Sequence, residues 1–107
     1  MNKVAKTTEE LPQYSDWLMK SLKSKRQAAA YLQAAIEEYQ VDNDPAPLLL
    51  AFRQVAIAQG GMTRLAEKAH LNRETLYRTL SRSGNPKLKT IGCLLQGLGF
   101  RLAVQAK

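Results

Sequence analysis

The stretch Met62–Ser81 constrains this chain more than any other. Leu65, Ala66 and Ala69 recur at helical spacing, then Leu76, Thr79 and Leu80 do so again, with a break of about three residues between the two runs. Thr63 is placed to cap the first run. Asn72 is placed to cap the second through its side-chain oxygen. Two short helices joined this way form a helix-turn-helix, and Ala66 is small where the helices must cross. Leu71 is an apolar residue in the turn. His70 stands where this turn usually has glycine, because the backbone there is commonly left-handed, a region histidine visits more often than most residues. It reads as a turn residue rather than a ligand or proton shuttle.

The rest of the chain reads as helix at the same period. Residues 1–10 are polar and aperiodic, which predicts a loose arm. Tyr14, Trp17, Leu18 and Leu22 form a short amphipathic turn or helix. Ser24 then caps a helix over about 25–40, with Gln27 in a capping-box position. Its stripe is Ala28, Leu32, Ala35 and Tyr39, widened by Ala29 and Ile36. After a turn at Val41–Asp44, Asp44 and Pro45 open a helix carrying Leu48, Phe52 and Val55, which Gly60 and Gly61 close. Ser83–Pro86 is a loop. Leu88, Ile91, Leu95 and Leu98 give a last helix, ended by Gly99, in which Gly92 and Gly97 lower intrinsic stability so that packing must hold it. Phe100, Leu102 and Val104 alternate with Arg101, Ala103 and Gln105, the period of a short C-terminal strand. One strand needs a partner. That partner is either the same strand of a second subunit, which makes these three residues dimer candidates, or the domain's own surface. The expected fold class is all-α, about five helices plus this strand.

Composition bounds the function. The 107 residues fit one domain. No apolar run approaches the ~20 residues that span a bilayer, and the start lacks the apolar core of a signal peptide. The single cysteine, Cys93, excludes an internal disulfide and fits a reducing, cytoplasmic setting; it reads as an apolar filler. With one histidine and one cysteine, a zinc site or a cysteine–histidine hydrolase is a poor fit. No paired carboxylates, phosphate-cradling glycine loop or metal-ligand cluster stands out, so neither enzyme activity, cofactor nor metal is expected. Charge is lopsided. Residues 1–54 hold seven Lys/Arg and seven Asp/Glu, whereas residues 55–107 hold nine and two. A one-sided basic excess suits a polyanion, although surplus lysine also serves solubility alone.

The outward face of the second short helix carries chemistry suited to a DNA major groove. Arg73 and Arg78 can bond guanine edges, Asn72 an adenine or a phosphate, and Glu74 a cytosine amino group, while Tyr77 can touch a thymine methyl or a phosphate. Thr63, Arg64, Arg82, Lys87 and Lys89 flank the unit and suit phosphate contacts, which position without specifying. The plain alternative is a solvated helix surface.

The chain resembles the addiction-module antidote family (HigA-like antitoxins) of the lambda-repressor-like helix-turn-helix superfamily. The resemblance covers about residues 14–104 and is carried by Ala28–Glu38, Gly60-Gly61-Met62, Leu71–Ser81 and Gly84-Asn85-Pro86. It departs at Ser24, where the family often has aspartate, and at His70, where it often has glycine. The resemblance implies an antitoxin that binds a RelE-like ribonuclease toxin and represses their shared promoter. On that view residues 1–40 are an N-terminal arm and helix that form the toxin-binding region, and residues 41–107 are the helix-turn-helix DNA-binding domain. Tyr14, Trp17, Leu18, Leu22, Tyr31 and Tyr39 would then cover the toxin, helped by Glu37, Glu38, Asp42 and Asp44, unless the aromatic stripe packs on the domain's own core. A homodimer on a palindromic operator is expected, because paired half-sites raise affinity. Two alternatives stand beside this: a phage-type repressor with no toxin, and a protein-interaction module that binds no DNA.

Overall fold

The computed structural model describes residues 12–107, so the expected loose arm at residues 1–10 lies outside the described residues. A single 3-10 turn at Pro12–Tyr14 leads into six helices. They are α1 (Asp16–Leu22), α2 (Lys25–Asp42), α3 (Ala46–Ala58), α4 (Met62–Ala69), α5 (Arg73–Thr79) and α6 (Leu88–Gly97). The all-α class holds. No strand occurs among the described residues: segment 101–107 carries no regular secondary structure, which corrects the expected C-terminal strand. A single segment with no neighbouring strand has no ladder to join.

The helix boundaries follow from cap chemistry. Ser15 Oγ accepts from Leu18 N–H at 3.2 Å, and Ser24 Oγ accepts from Gln27 N–H at 3.2 Å, so serines open α1 and α2. Helix α2 runs two residues past the expected end. It stops where Asn43 turns left-handed (φ 59°) and its N–H reaches Tyr39 O at 2.7 Å. Asp44 Oδ1 accepts from Ala46 N–H at 3.1 Å, across Pro45. That is the capping geometry expected for the start of α3. Three helices then close on one pattern of backbone bonds. At the end of α3, Gly61 N–H reaches Ala56 O at 2.8 Å; at α4, Leu71 N–H reaches Ala66 O at 2.9 Å; at α6, Phe100 N–H reaches Leu95 O at 2.7 Å. Each is a Schellman closure with a left-handed residue before the donor, namely Gly60, His70 and Gly99. One expected cap is corrected: Gly61, not Thr63, precedes α4, and Thr63 sits inside its first turn.

One core joins all six helices. Leu22 of α1, Ala28 and Leu32 of α2, Phe52 and Val55 of α3, Leu65 and Ala69 of α4, Leu76 of α5 and Leu94 of α6 belong to it, with Leu80. Helix α3 is the hub. It packs on α1, α2 and α4 and is buried nearly all round. Its sequence explains this, since Arg53 and Gln54 are its only polar side chains. Gln54 is 2% exposed and both its polar atoms are bonded: Oε1 accepts from the Tyr31 hydroxyl at 2.8 Å, and Nε2 donates to Gln13 O at 2.7 Å. Burial raises the Tyr31 hydroxyl above its ordinary pKa. The phenol is neutral below pH ~10, so its share of stability is intact at neutral pH and is lost only as pH rises beyond the unfolded value.

Helix α6 packs on α4 through Gly97. A Cβ there would lie 3.1 Å from Ala69 N and 3.1 Å from Leu65 Cδ1. The inward stripe of α6 is Leu94, Leu95 and Leu98, with Ile91 half-buried. Leu88, expected to face inward, is 74% exposed at the helix's leading end. Cys93 is half-buried against the core. Gly92 has open space around it. Gly92→Ala is therefore expected to stabilise the fold by about 0.5–1 kcal/mol. Gly97→Val should cost about 1–3 kcal/mol by forcing α6 off α4. Urea unfolding of the two variants checks the opposite signs.

Candidate nucleic-acid interface

Helices α4 and α5 are joined by His70, Leu71 and Asn72, and each contributes buried side chains to the core. His70 holds φ 59° and ψ 40°, in the left-handed region, and its side chain is exposed. Leu71 is half-buried and packs on the core, the apolar contact that accompanies such a closure. The sequence expectation about this turn is met, with histidine adopting the conformation glycine takes more cheaply. His70→Gly should stabilise the fold by roughly 1 kcal/mol, read as a rise in melting temperature. A fall would show that the imidazole contributes a contact that outweighs backbone strain.

Helix α5 is short and needs anchoring. Leu76 and Leu80 are both 0% exposed and fix one side of it in the core. Its first turn is capped by Asn72, whose Oδ1 accepts from Thr75 N–H at 2.7 Å. Its last turn is held by Arg53 of α3, whose Nη1 donates to Leu80 O. Sequence reasoning missed Arg53. The available signal was one guanidinium in an otherwise apolar helix, which must find an acceptor to be half-buried. A positive charge at that end also complements the helix dipole.

Anchored on one side, α5 presents Arg73, Glu74, Tyr77 and Arg78 to solvent. Tyr77 is 49% exposed, and the Arg73 guanidinium lies 5.8 Å from its ring centroid. The structure thus brings Arg73 and Tyr77 together on one face. Asn72 is exposed at the helix start, but its oxygen is committed to the cap. A two-bond contact to adenine needs both that oxygen and the amide nitrogen, so the nitrogen is the group free to donate.

The flanking phosphate-contact candidates are exposed as well. Thr63 and Arg64 lie on the first turns of α4, Arg82 on the loop after α5, Lys87 at the cap of α6 and Lys89 in its first turn. Gly84 sets that loop. A Cβ there would lie 2.0 Å from Thr79 O, so only glycine lets the loop cross behind α5.

The remaining candidates are spread over the fold. Trp17 is 76% exposed on α1, Tyr14 and Leu18 are half-buried, and Tyr39 sits at the surface near the end of α2. Tyr31 is engaged with Gln54, and Leu22 is in the core, so those two do not share Trp17's outer face. Glu37, Glu38, Asp42 and Asp44 are exposed along the far half of α2 and its end. Phe100 packs on the core under Lys25, whose ammonium lies 5.6 Å from the ring and donates to Leu98 O. Leu102 and Val104 stand in solvent. No helix among the described residues is long and apolar enough to cross a membrane.

A family model described as "probable addiction module antidote protein" matches residues 13–106. An uncharacterized protein of Haemophilus influenzae is 29% identical over 98 residues, covering 92% of this chain and 94% of that protein. No solved structure matches.

Proposed function

Since the chain belongs to the family of probable addiction module antidote proteins, we propose that it is the antitoxin of a type II toxin–antitoxin module and the repressor of its own operon. The observation that carries the repressor half is α5. It is pinned from within by Leu76, Leu80 and Arg53 and turns Arg73, Glu74, Tyr77 and Arg78 outward. In this reading α4 and α5 are a helix-turn-helix of the lambda-repressor-like kind. Helix α5 enters the major groove, with its leading residues nearest the bases. Arg73, Glu74, Tyr77 and Arg78 read base edges. Asn72, its oxygen held by the cap, donates its amide to the backbone or to a single base atom. Thr63, Arg64, Arg82, Lys87 and Lys89 meet phosphates. A homodimer places two such helices on a palindromic operator, in the cytoplasm where the DNA is.

Toxin neutralisation rests on family membership. The resemblance to HigA-like antitoxins makes the toxin a RelE-like ribonuclease. Exposed Trp17, with Tyr14, Leu18 and Tyr39, offers aromatic surface of the kind that dominates binding energy, and the acidic far half of α2 complements a basic enzyme. The proposed protein acts by binding rather than by catalysis. Co-expression with the neighbouring open reading frame tests it. A stable complex that abolishes the neighbour's RNA cleavage supports the antitoxin, whereas operator binding without a toxin partner supports a phage-type repressor. Lack of binding to the upstream DNA even at low salt leaves a protein-interaction module.

Phosphate contacts have their own signature. Replacing Lys87 and Lys89 by glutamine should weaken binding to all duplexes alike. It should also reduce the slope of log affinity against log salt by about one per lysine lost. Anisotropy titrations at several salt concentrations measure it.

A further inference from the structure

The even charge balance of residues 1–54 hides a separation along α2. Lys20, Lys23, Lys25 and Arg26 fall together at the corner between α1 and α2, in a run with no acidic residue. Glu37, Glu38 and Asp42 fall in the far half of α2. About 16 Å of helix axis parts the two groups. That is about twice the Debye length at physiological salt, so each acts as its own pole. The helix gains nothing from this order. Lys25 and Arg26 sit in a first turn that holds no acid, and Asp42 ends a last turn that holds no base. Both placements oppose the helix dipole.

The basic pole adjoins the helix-turn-helix. Gln59, at the end of α3, donates to Leu22 O at 2.7 Å and to Lys23 O at 2.9 Å, which ties the α1–α2 corner to the turn before α4. Arg64 folds back over that same turn, since a Cβ on Gly60 would lie 2.7 Å from its Cδ. Lys25, Arg64 and Lys68 line one small cleft there, and no carboxylate lines it. Lys25 is held in place by Leu98 O. Lys23, Arg26 and Lys68 are exposed around it. Like charges gathered this way repel unless an anion lies against them. We propose that the corner is a second phosphate-binding surface, on which Lys23, Arg26 and Lys68 hold the backbone of duplex flanking the operator half-site. Continuity selects the occupant. The anion that meets Arg64 in the proposed function is a DNA phosphate, and the same duplex continues past it. Exposed lysines suit phosphates, which position the duplex without reading it. The acidic pole keeps its carboxylates at the other end of α2, away from that duplex.

This deepens the DNA-binding reading and rests on it. Anisotropy titrations compare two duplexes of the chain's own upstream DNA: the shortest that binds specifically, and one about ten base pairs longer at each end, a further helical turn. The longer duplex should bind about tenfold tighter or more, with a slope of log affinity against log salt steeper by about two or more. Scrambling the added flanks should not remove that gain. Lys23→Gln, Arg26→Gln and Lys68→Gln together should bring the long duplex down to the affinity of the short one. Lys23→Arg, Arg26→Lys and Lys68→Arg together should keep the gain. Helical circular dichroism of both variants checks the fold, because none of the three side chains is in the core. Equal affinity for both lengths, or a glutamine variant that loses equally on both, would overturn the surface and leave α5 as the reading helix. So would a glutamine variant that keeps the flank gain but loses its complex with the neighbouring gene product, which would assign the corner to protein contact. Failure to bind either duplex would overturn both readings together.

Discussion

Replacing Arg73 and Arg78 together by alanine is expected to weaken binding to the chain's own upstream DNA by about 2–6 kcal/mol, from about 1–3 kcal/mol for each guanidinium that contacts a guanine. That is at least a thirtyfold loss. It should be much smaller on unrelated duplexes, because phosphate contacts elsewhere remain. Both side chains are exposed and neither is in the core, so the melting temperature should hardly move. Single variants separate the two. Arg73 also lies over the Tyr77 ring, so Arg73→Ala frees Tyr77 as well, and the two effects need not add. Gel shifts or anisotropy with the upstream fragment and a scrambled control give the measurement. Unchanged discrimination between the two duplexes would remove α5 from the role of reading helix.

Leu76→Ala should be among the most damaging truncations in the fold. Leu76 is 0% exposed on a helix of seven residues, and truncating such a leucine costs about 2–5 kcal/mol. A domain of this size has only about 5–15 kcal/mol in total, so the variant approaches the edge of folding. Loss of that anchor should also let α5 detach locally before the rest unfolds, since Leu80 and Arg53 alone then hold it. Leu88→Ala is the matched control. Its side chain is 74% exposed, so an effect within about 0.5 kcal/mol is expected in the same urea series. Equal losses for the two would mean that α6's leading end is packed in solution.

That pair also shows where sequence reading reached its limit. Leu76 and Leu88 both sit at regular helical spacing next to other leucines, and the spacing predicts both as inward. Periodicity fixes the face of a helix but not how far along its length a neighbour covers it. Helix α6 is buried from Ile91 onward, where it packs on α4, and α2 is covered mainly in its first half, leaving Ile36 half-buried and residues 37–42 exposed. Leu22 shows the same limit from the other side: it belongs to an amphipathic run with Trp17, yet one is in the core and the other in water.

Local rules did carry the rest. Serine, asparagine and aspartate before apolar runs set where helices start, and Gly60, His70 and Gly99 set where they end. In each case the cause is a backbone group that needs a partner within a few residues. The outward chemistry of α5 was legible for the same reason, because a short amphipathic helix with two buried leucines has only one way to face. Arg53's grip on Leu80 O, the Tyr31–Gln54–Gln13 chain and the glycine contact at Gly97 were decided by tertiary structure. Each joins residues far apart in sequence, and a donor's choice among distant acceptors depends on which elements packing brings within about 3 Å.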